Sequence, residues 1–379
     1  MIPASPHTLD ELRARLTLLA TPRLGAPAAL ALLRRHGTGQ RALDALASMM
    51  RPEPRAARTA QVDARVTRTL RVIADERVDL IWFDDPRYPE RLQQRLDEYA
   101  PPVLFAKGDV ALLDAVSIAV VGSRQATNYG LDVAAELGAA IGQVGGCVVS
   151  GVARGIDAAA QEASLDVGGA SIGVLGCGID VLYPRENNWL QERLGVAGLL
   201  LTEFLPGTPP LKHHFPYRNR IIAALSCAVV VVEASEKSGA VKTAEHASLQ
   251  SIDVYVVPNA LDHPNFQGNR ALLRDGVHVY TGARDLLETL GLLHVGQGLP
   301  HTADAAMRPQ SALHARIWDL LTASARHVDE VAAEAALPPT SVLVALLELE
   351  LDGRVKQLPG NRFARVPERR RPATASETR

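Results

Sequence analysis

Residues 117–151 read SIAVVGSRQATNYGLDVAAELGAAIGQVGGCVVSG, and the alternation inside that stretch decides the fold. Two continuous apolar runs, SIAVVG at 117 and CVVSG at 147, each close on glycine, with an alanine-rich segment of helical length starting at Asn128 between them. A strand that is apolar at successive positions is covered on both faces, and a helical crossover returns the chain to lay the next strand parallel to it. The texture repeats outward in both directions: LIWFDD at 80, VLFAKG at 103, SIGVLG at 171, GLLLTEF at 198, AVVVVEA at 228, DVYVVPNA at 253 and VHVY at 277. The order predicts an α/β fold, a doubly wound sheet occupying residues 76–291.

The flanks read differently. Residues 1–75 form short helices, LRARLTLLA, TPRLGAPAALALLRRHGTG and RALDALASM, expected to make a small helical domain of helix-hairpin-helix or sterile-alpha-motif-like type, or a packing and protein-interaction unit. The pattern stops over 292–310, where GQGLPHTADAAMRPQ reads as a linker. Residues 311–366 then give three helices and two short strands around Pro359-Gly360-Asn361, the order of a winged helix. Its third helix, PTSVLVALLELELDG, carries Glu348 and Glu350 and no cation, which disfavours insertion into a DNA groove. Residues 367–379 are expected to be a disordered basic tail.

At 379 residues, 47% hydrophobic and 4% aromatic, the chain has enough apolar material for two or three ordinary cores. The beginning of the chain shows no basic segment followed by an apolar run, and no apolar run approaches the roughly 20 residues that span a bilayer, so a cytoplasmic protein without membrane association is expected. Cys147, Cys177 and Cys227 lie inside apolar runs without CxxC spacing or neighbouring His ligands, which reads as buried thiols and no metal. The net charge of −2 conceals an asymmetry. Residues 1–75 hold 12 arginines against six acids, whereas residues 76–309 hold 18 cations against 27 acids. An acidic central domain excludes diffuse attraction to nucleic acid over its whole surface, so any such binding has to be local.

The turns supply that locality. In a parallel α/β sheet, ligands bind beyond the carboxyl ends of the strands. There the sequence places Gly122-Ser123-Arg124, then Gly151 and Arg154, then Ser238, Gly239, Lys242 and Thr243, each set mixing small residues that let backbone amides meet a phosphate with a cation or hydroxyl. Gly176-Cys177-Gly178 falls short of a dinucleotide fingerprint, and no Walker loop follows any strand. Between Phe204 and Val232 there is no Asp or Glu, yet that window contains Lys212, Phe215, Arg218 and Arg220. Phosphate cradle, cation and stacking aromatic together are what single-stranded nucleic acid requires. Adjacent His213 and His214 point to opposite sides of an extended loop and do not chelate one metal, and Asp157, Asp180 and Glu203 read as turn caps and braces.

These same residues carry a family likeness. VGSRQATNYG at 121, SGVARGIDAAAQ at 150, VLGCGIDVLYPREN at 174, TEFLPGTPP at 202, FPYRNRIIAALS at 215, VVVEASEKSGAVKTAEHA at 230 and GNRALLRDG at 268 resemble, in order and spacing, the DNA-processing protein A (DprA, or Smf) family. DPRYPERL at 85 and PPVLFAKG at 101 extend the likeness over residues 80 to 290. The resemblance implies an extended Rossmann-like, mostly parallel domain that binds single-stranded DNA, forms a homodimer and loads the recombinase RecA during natural transformation, with single-strand-binding protein as a further partner and no cofactor. It also implies roles by position: Arg124 and Lys212 on phosphates, Phe215 on a base, and at least one of Arg218 and Arg220, which flank Asn219, turned inward to hold the loop. Ser238, Gly239 and Thr243 would offer amides and hydroxyls, and Asn269 would contact a base edge or cap a helix. Val241-Lys242 stands where the family shows Leu-Ile, so Lys242 either adds a phosphate contact or packs its stem on the loop. Two other readings compete: a nucleotide or nucleoside-phosphate hydrolase with Glu245 as its acid, and a transcription factor reading duplex DNA through the winged helix.

Overall fold

The computed structural model describes residues 8–49, 55–293, 311–321, 326–352, 354–358 and 360–365. Most of the expected linker and the whole expected basic tail lie outside the described residues. The chain divides into two compact units, Met1–Leu299 and Pro300–Arg379.

The first unit opens with four helices, α1 (Leu9–Ala20), α2 (Ala26–His36), α3 (Gly39–Met49) and α4 (Arg55–Asp75). The sheet region follows as β1 (Asp79–Trp82), α5 (Glu90–Leu96), β2 (Val103–Gly108), β3 (Ser117–Val121), α6 (Asn128–Gln143), β4 (Cys147–Ser150), α7 (Ile156–Asp166), β5 (Ala170–Val174), α8 (Asn188–Ala197), β6 (Leu199–Thr202), α9 (His214–Leu225), β7 (Ala228–Val231), α10 (Gly239–Leu249), β8 (Asp253–Val256), α11 (Gln267–Arg274), β9 (His278–Val279) and α12 (Ala283–Thr289). Each of the nine apolar runs is a strand, and together they form one sheet of order β1-β2-β6-β5-β4-β3-β7-β8-β9.

Seven strands, β6 through β9 in that order, run parallel; Ile118 of β3 pairs with Val148 on one side and Ala228 on the other. The chain winds outward from β3 through β4, β5 and β6, then crosses back to place β7 against the other side of β3. This is the Rossmann-like reversal, and it gathers the turns after β3, β4, β5, β6 and β7 on one rim. The remaining two strands depart from the pattern, since β2 pairs antiparallel with both β6 and β1.

The four N-terminal helices pack on the sheet. Leu12, Leu16, Leu33, Val66 and Ile73 share one buried cluster with Trp82, Val103, Phe105 and Leu200. Arg15, 2% exposed, lies over the Trp82 ring at 5.2 Å and is held by Glu11 of its own helix (2.6 Å) and by Asp84 (2.7 Å) just after β1. The boundary drawn at residue 76 therefore marks a change of composition that the packing does not follow.

The second unit contains α13 (Ala312–Leu320), β10 (Arg326–His327), α14 (Val328–Ala335), α15 (Pro339–Leu351), β11 (Val355–Leu358) and β12 (Arg362–Arg365), with antiparallel order β10-β12-β11. This is a winged helix around its own core of Ile317, Trp318, Val331, Val342, Leu346 and Phe363. Glu348 on α15 receives His314 at 2.8 Å. Among the described residues no single helix is long and apolar enough to cross a membrane; the apolar pair α14 and α15, bent by 112°, contributes this core.

Candidate functional site

Beyond the carboxyl ends of β3, β4 and β5 lies a cavity of about 550 Å³ whose lining includes Arg124, Arg154, Tyr183, Arg185, Phe215 and Arg218. Three strand-to-helix turns and the first two turns of α9 supply these side chains. Arg124 is exposed, with its guanidinium carbon 5.4 Å from the centre of the Phe215 ring. Phe215 is half-buried: its ring tilts against Tyr183 at 5.3 Å, and a Cβ on Gly176 would come within 2.8 Å of it. Glycine at 176 is thus required to seat the ring. Arg154 is exposed and pairs with Glu186 at 3.3 Å, while Arg185 is exposed and has no acidic partner among the described residues. Four arginines face one lining carboxylate, Glu186, so the cavity is electropositive within a domain that is acidic overall.

Arg218 lies beneath this surface. It is 4% exposed, donates to the carbonyl of Val174 and, at 3.2 Å, to Asn219 Oδ1. Burial pushes its pKa down to about 10, partly opposed by the Asp157 carboxylate. Asp157 is buried as well, and desolvation raises its pKa against the pull of Arg218 and of the amides of Ala153 and Gly151. Those amides donate to Asp157 Oδ2, from Gly151 at 3.0 Å and from Ala153 at 3.4 Å. The turn after β4 is therefore not an open phosphate cradle, because its own carboxylate fills it. Gly151 is glycine for a packing reason: a Cβ there would meet the Arg218 guanidinium at 2.5 Å. Gly122 is constrained likewise, with Ile156 at 2.5 Å from its hypothetical Cβ, and the Ser123 hydroxyl accepts from the Gln125 amide at 3.1 Å.

Four of the expected contact residues lie buried, which for Arg220 is the inward alternative that the resemblance left open. Arg220 is 4% exposed and grips Glu203 through both terminal nitrogens (2.5 and 2.7 Å), with further bonds to the carbonyls of Tyr99 and Tyr217, so its charge is consumed inside the fold. Asn219 is buried and ties α9 to α10 through the Gly239 carbonyl at 3.0 Å. Thr243 is 1% exposed and returns its hydroxyl to the same carbonyl at 3.1 Å. Asn269 is fully buried and donates to the carbonyls of Val232 (3.0 Å) and Val257 (3.1 Å), bracing the ends of β7 and β8.

The turn after β7 is also partly closed. Ser238 caps α10 by accepting from the Val241 amide at 3.3 Å. Gly239 is exposed, and Lys242 is exposed but paired with Glu245 at 2.8 Å. None of Ser238, Gly239, Lys242, Thr243 or Asn269 lines the cavity. Lys212 stands exposed in the β6–α9 loop, three residues before Phe215, without a carboxylate partner among the described residues; of that loop, Pro210 reaches the lining.

Tyr183 and Arg185 were not singled out by residue type. Their signal lies in VLYPREN, an aromatic and a cation on a turn that follows a buried strand. His214 stacks on Phe204 at 4.1 Å and meets the Gly176 carbonyl through Nδ1 at 3.2 Å, which makes it part of the wall behind Phe215. Among the described residues no group of three or more His, Cys, Asp or Glu could hold a metal ion. Burial pushes the thiols of Cys147 and Cys177 up to about 12 and about 11, which leaves neither a nucleophile at neutral pH.

Residues 79–291 match the family model of DNA recombination-mediator protein A, and residues 301–361 match that of the DprA winged helix domain. Protein Smf of Synechocystis is 34% identical over 315 residues, which span 74% of this chain and 79% of the relative. The X-ray structure of DNA processing protein A from Streptococcus pneumoniae superposes with a TM-score of 0.63 at 32% identity, covering 73% of this chain and 96% of that one. A DNA processing protein A from Helicobacter pylori, whose structure is described for its single-stranded DNA binding mode, superposes with a TM-score of 0.51 at 28% identity, covering 56% of this chain and 95% of the other.

Proposed function

This chain belongs to the DNA-processing protein A (DprA/Smf) family, and on that premise we propose that it binds single-stranded DNA in the arginine-lined cavity beyond β3, β4 and β5. The observation that carries the reading is Arg124 set over Phe215 inside a cavity that also holds Arg154, Arg185 and Tyr183. Exposed guanidiniums grip phosphates by charge and forked hydrogen bonds, and an aromatic face accepts any base, so the strand is held by its backbone and by stacking without sequence readout. Lys212 extends the cationic rim. Arg218 contributes field from below, where its burial keeps it from moving. In the wider reading the protein acts in the cytoplasm as a homodimer that protects incoming strands and loads RecA, with single-strand-binding protein as a further partner.

The site's chemistry favours binding over catalysis. The lining carboxylate Glu186 is engaged by Arg154, and Glu245, the acid that a hydrolase would use, is paired with Lys242 outside the lining. Titration of oligothymidylate and of the matching duplex at two salt concentrations tests the proposal. Wild type should prefer the single strand. Arg124→Ala should lower the log–log salt slope by about 0.7, one phosphate contact. Phe215→Ala should weaken binding by about 1–3 kcal/mol with the slope unchanged. Full affinity and slope in both folded variants would overturn the reading, and nucleotide turnover abolished by Glu245→Gln would install the hydrolase in its place.

A further inference from the structure

Glu233 ends the strand run of β7 and is fully buried, although it is an acid at the mouth of the sheet. Its side chain is ringed by donors. Thr127 gives its backbone N–H to Oε2 at 3.0 Å and its hydroxyl to Oε1. From the β8–α11 loop, Asn259 donates to Oε1 at 3.3 Å and Asn265 to Oε2 at 3.2 Å. Thr127 is the N-cap of α6, and a Cβ on Gly130, in the first turn of that helix, would lie 2.6 Å from the Glu233 carboxyl carbon. The carboxylate is thus seated against the start of the helix that follows β3, at the strand-order reversal between β3 and β7. In this class of sheet that is where a bound ligand places its phosphate.

The network reaches the turn that carries Arg124. Asn265 also donates to the Gln125 carbonyl at 2.9 Å, and its own carbonyl receives the Ala234 amide at 2.7 Å. On the other side, the Ser123 carbonyl accepts from Ile156 and blocks any Cβ at Gly155, to which it would lie at 2.3 Å. Residues 122–127 are therefore clamped at both ends with Arg124 at the free apex. We propose that Glu233 is the positioning residue of the DNA site, an internal carboxylate that takes the place of a ligand phosphate and fixes the turn from which Arg124 meets the strand. The inference rests on the cavity reading above and adds a consequence: the turn is ordered before DNA arrives, so Arg124 loses little entropy on contact.

Two readouts test it, one without DNA. In Glu233→Gln, which keeps the shape but turns an amide donor toward the ring of donors, hydrogen exchange of the amides of residues 122–130 in the free protein should accelerate about tenfold or more, while those of β4 and β5 keep their rates. Oligothymidylate affinity should fall by about tenfold in the Arg124 background. With Arg124→Ala already present, Glu233→Gln should cost less than about twofold, since partners acting through one contact are non-additive. Asn265→Ala, which frees Gln125 and one carboxylate contact while Glu233 stays in place, should reproduce the pattern and serves if Glu233→Gln does not fold. Unchanged exchange at 122–130, or an equal loss of affinity with and without Arg124, overturns the proposal. Accelerated exchange in a protein for which Arg124→Ala binds like wild type would instead remove the cavity reading.

Discussion

Arg124 and Arg220 have the same side chain and opposite fates, and the difference is the company each keeps. Arg220 is buried against Glu203, whose side chain is 3% exposed. Removing one member of such a pair strands the other without water or counter-charge, so Arg220→Ala should cost about 3–5 kcal/mol in urea unfolding. Arg124 is exposed and holds no carboxylate, so Arg124→Ala should change stability by less than about 0.5 kcal/mol while losing its DNA contact. A stable Arg220→Ala protein with weakened DNA binding would reverse these assignments. The acid-free window from Phe204 to Val232 marks three cations without showing which are free; it opens one residue after Glu203, the acid that neutralises Arg220, and Asp157, far upstream, faces Arg218. Residue types were legible, and their partners were not, because partners are set by the fold. His214 adds a pH-dependent prediction. Burial lowers its pKa below the ordinary 6.5, with adjacent His213 adding to the effect. Below about 6.5 the unfolded chain therefore binds a proton that the folded one resists, and stability is lost as pH falls through the lowered value. Between pH 7.5 and pH 5.5, His214→Gln should lose less stability than wild type; equal losses would remove His214 from the acid sensitivity.

Elements were legible wherever burial leaves a pattern. The strands were marked by apolar runs because most are covered on both faces, the exposed edge strand β9 (His278–Val279) excepted, and that same coverage hid the antiparallel edge. Residues Val103 to Ala106 of β2 are fully buried, so they show none of the alternation that usually marks an antiparallel strand. The turns were legible as turns, but not as filled ones, since the carboxylates of Asp157 and Glu233 reach back to amides that glycine-rich sequence only suggests are open. The β6–α9 loop shows how elements cooperate at the site. Asp180, on the turn after β5, accepts the Gly207 amide at 2.7 Å and pairs with Arg68 of α4 at 3.0 Å; Arg65 of α4 reaches the Thr208 hydroxyl at 3.4 Å. Gly207 has φ +78 and would place a Cβ 2.7 Å from the Arg68 guanidinium carbon. Arg68 is exposed enough to swing aside, so the larger cost of Gly207→Ala is the left-handed backbone, about 1–2 kcal/mol, together with the lost pairing to Asp180. Chemical denaturation checks the cost, and no measurable loss would mean that the loop relaxes freely. Asn269→Ala should likewise destabilise, by about 1–3 kcal/mol for the carbonyls it abandons, with the DNA salt slope unaltered. A changed slope would return Asn269 to the binding surface.

At the scale of the molecule, the two units differ in what they share. The N-terminal helices and the sheet hold one core, in which Trp82, Val103 and Phe105 are fully buried. Removing residues 1–77 would uncover these side chains, each worth about 1.5–3 kcal/mol when buried, and would strip the partners of Asp84 and Asp180 from α1 and α4. Set against a total stability of about 5–15 kcal/mol, that loss should leave no cooperatively folded product, as circular dichroism on heating would show. The winged helix has a core of its own, and α15 presents Glu348 and Glu350 without a cation. Its removal, by ending the chain at residue 299, should therefore leave the melting temperature of the sheet unit unchanged and its affinity for oligothymidylate within about twofold of the full chain, since none of the cavity's lining is lost. A large drop in single-strand affinity on that truncation would place part of the binding surface in residues 300–379, and a duplex-specific loss would support the transcription-factor reading. Because the lining arginines all come from the first unit, affinity should follow Arg124 and Phe215, with the winged helix present or absent.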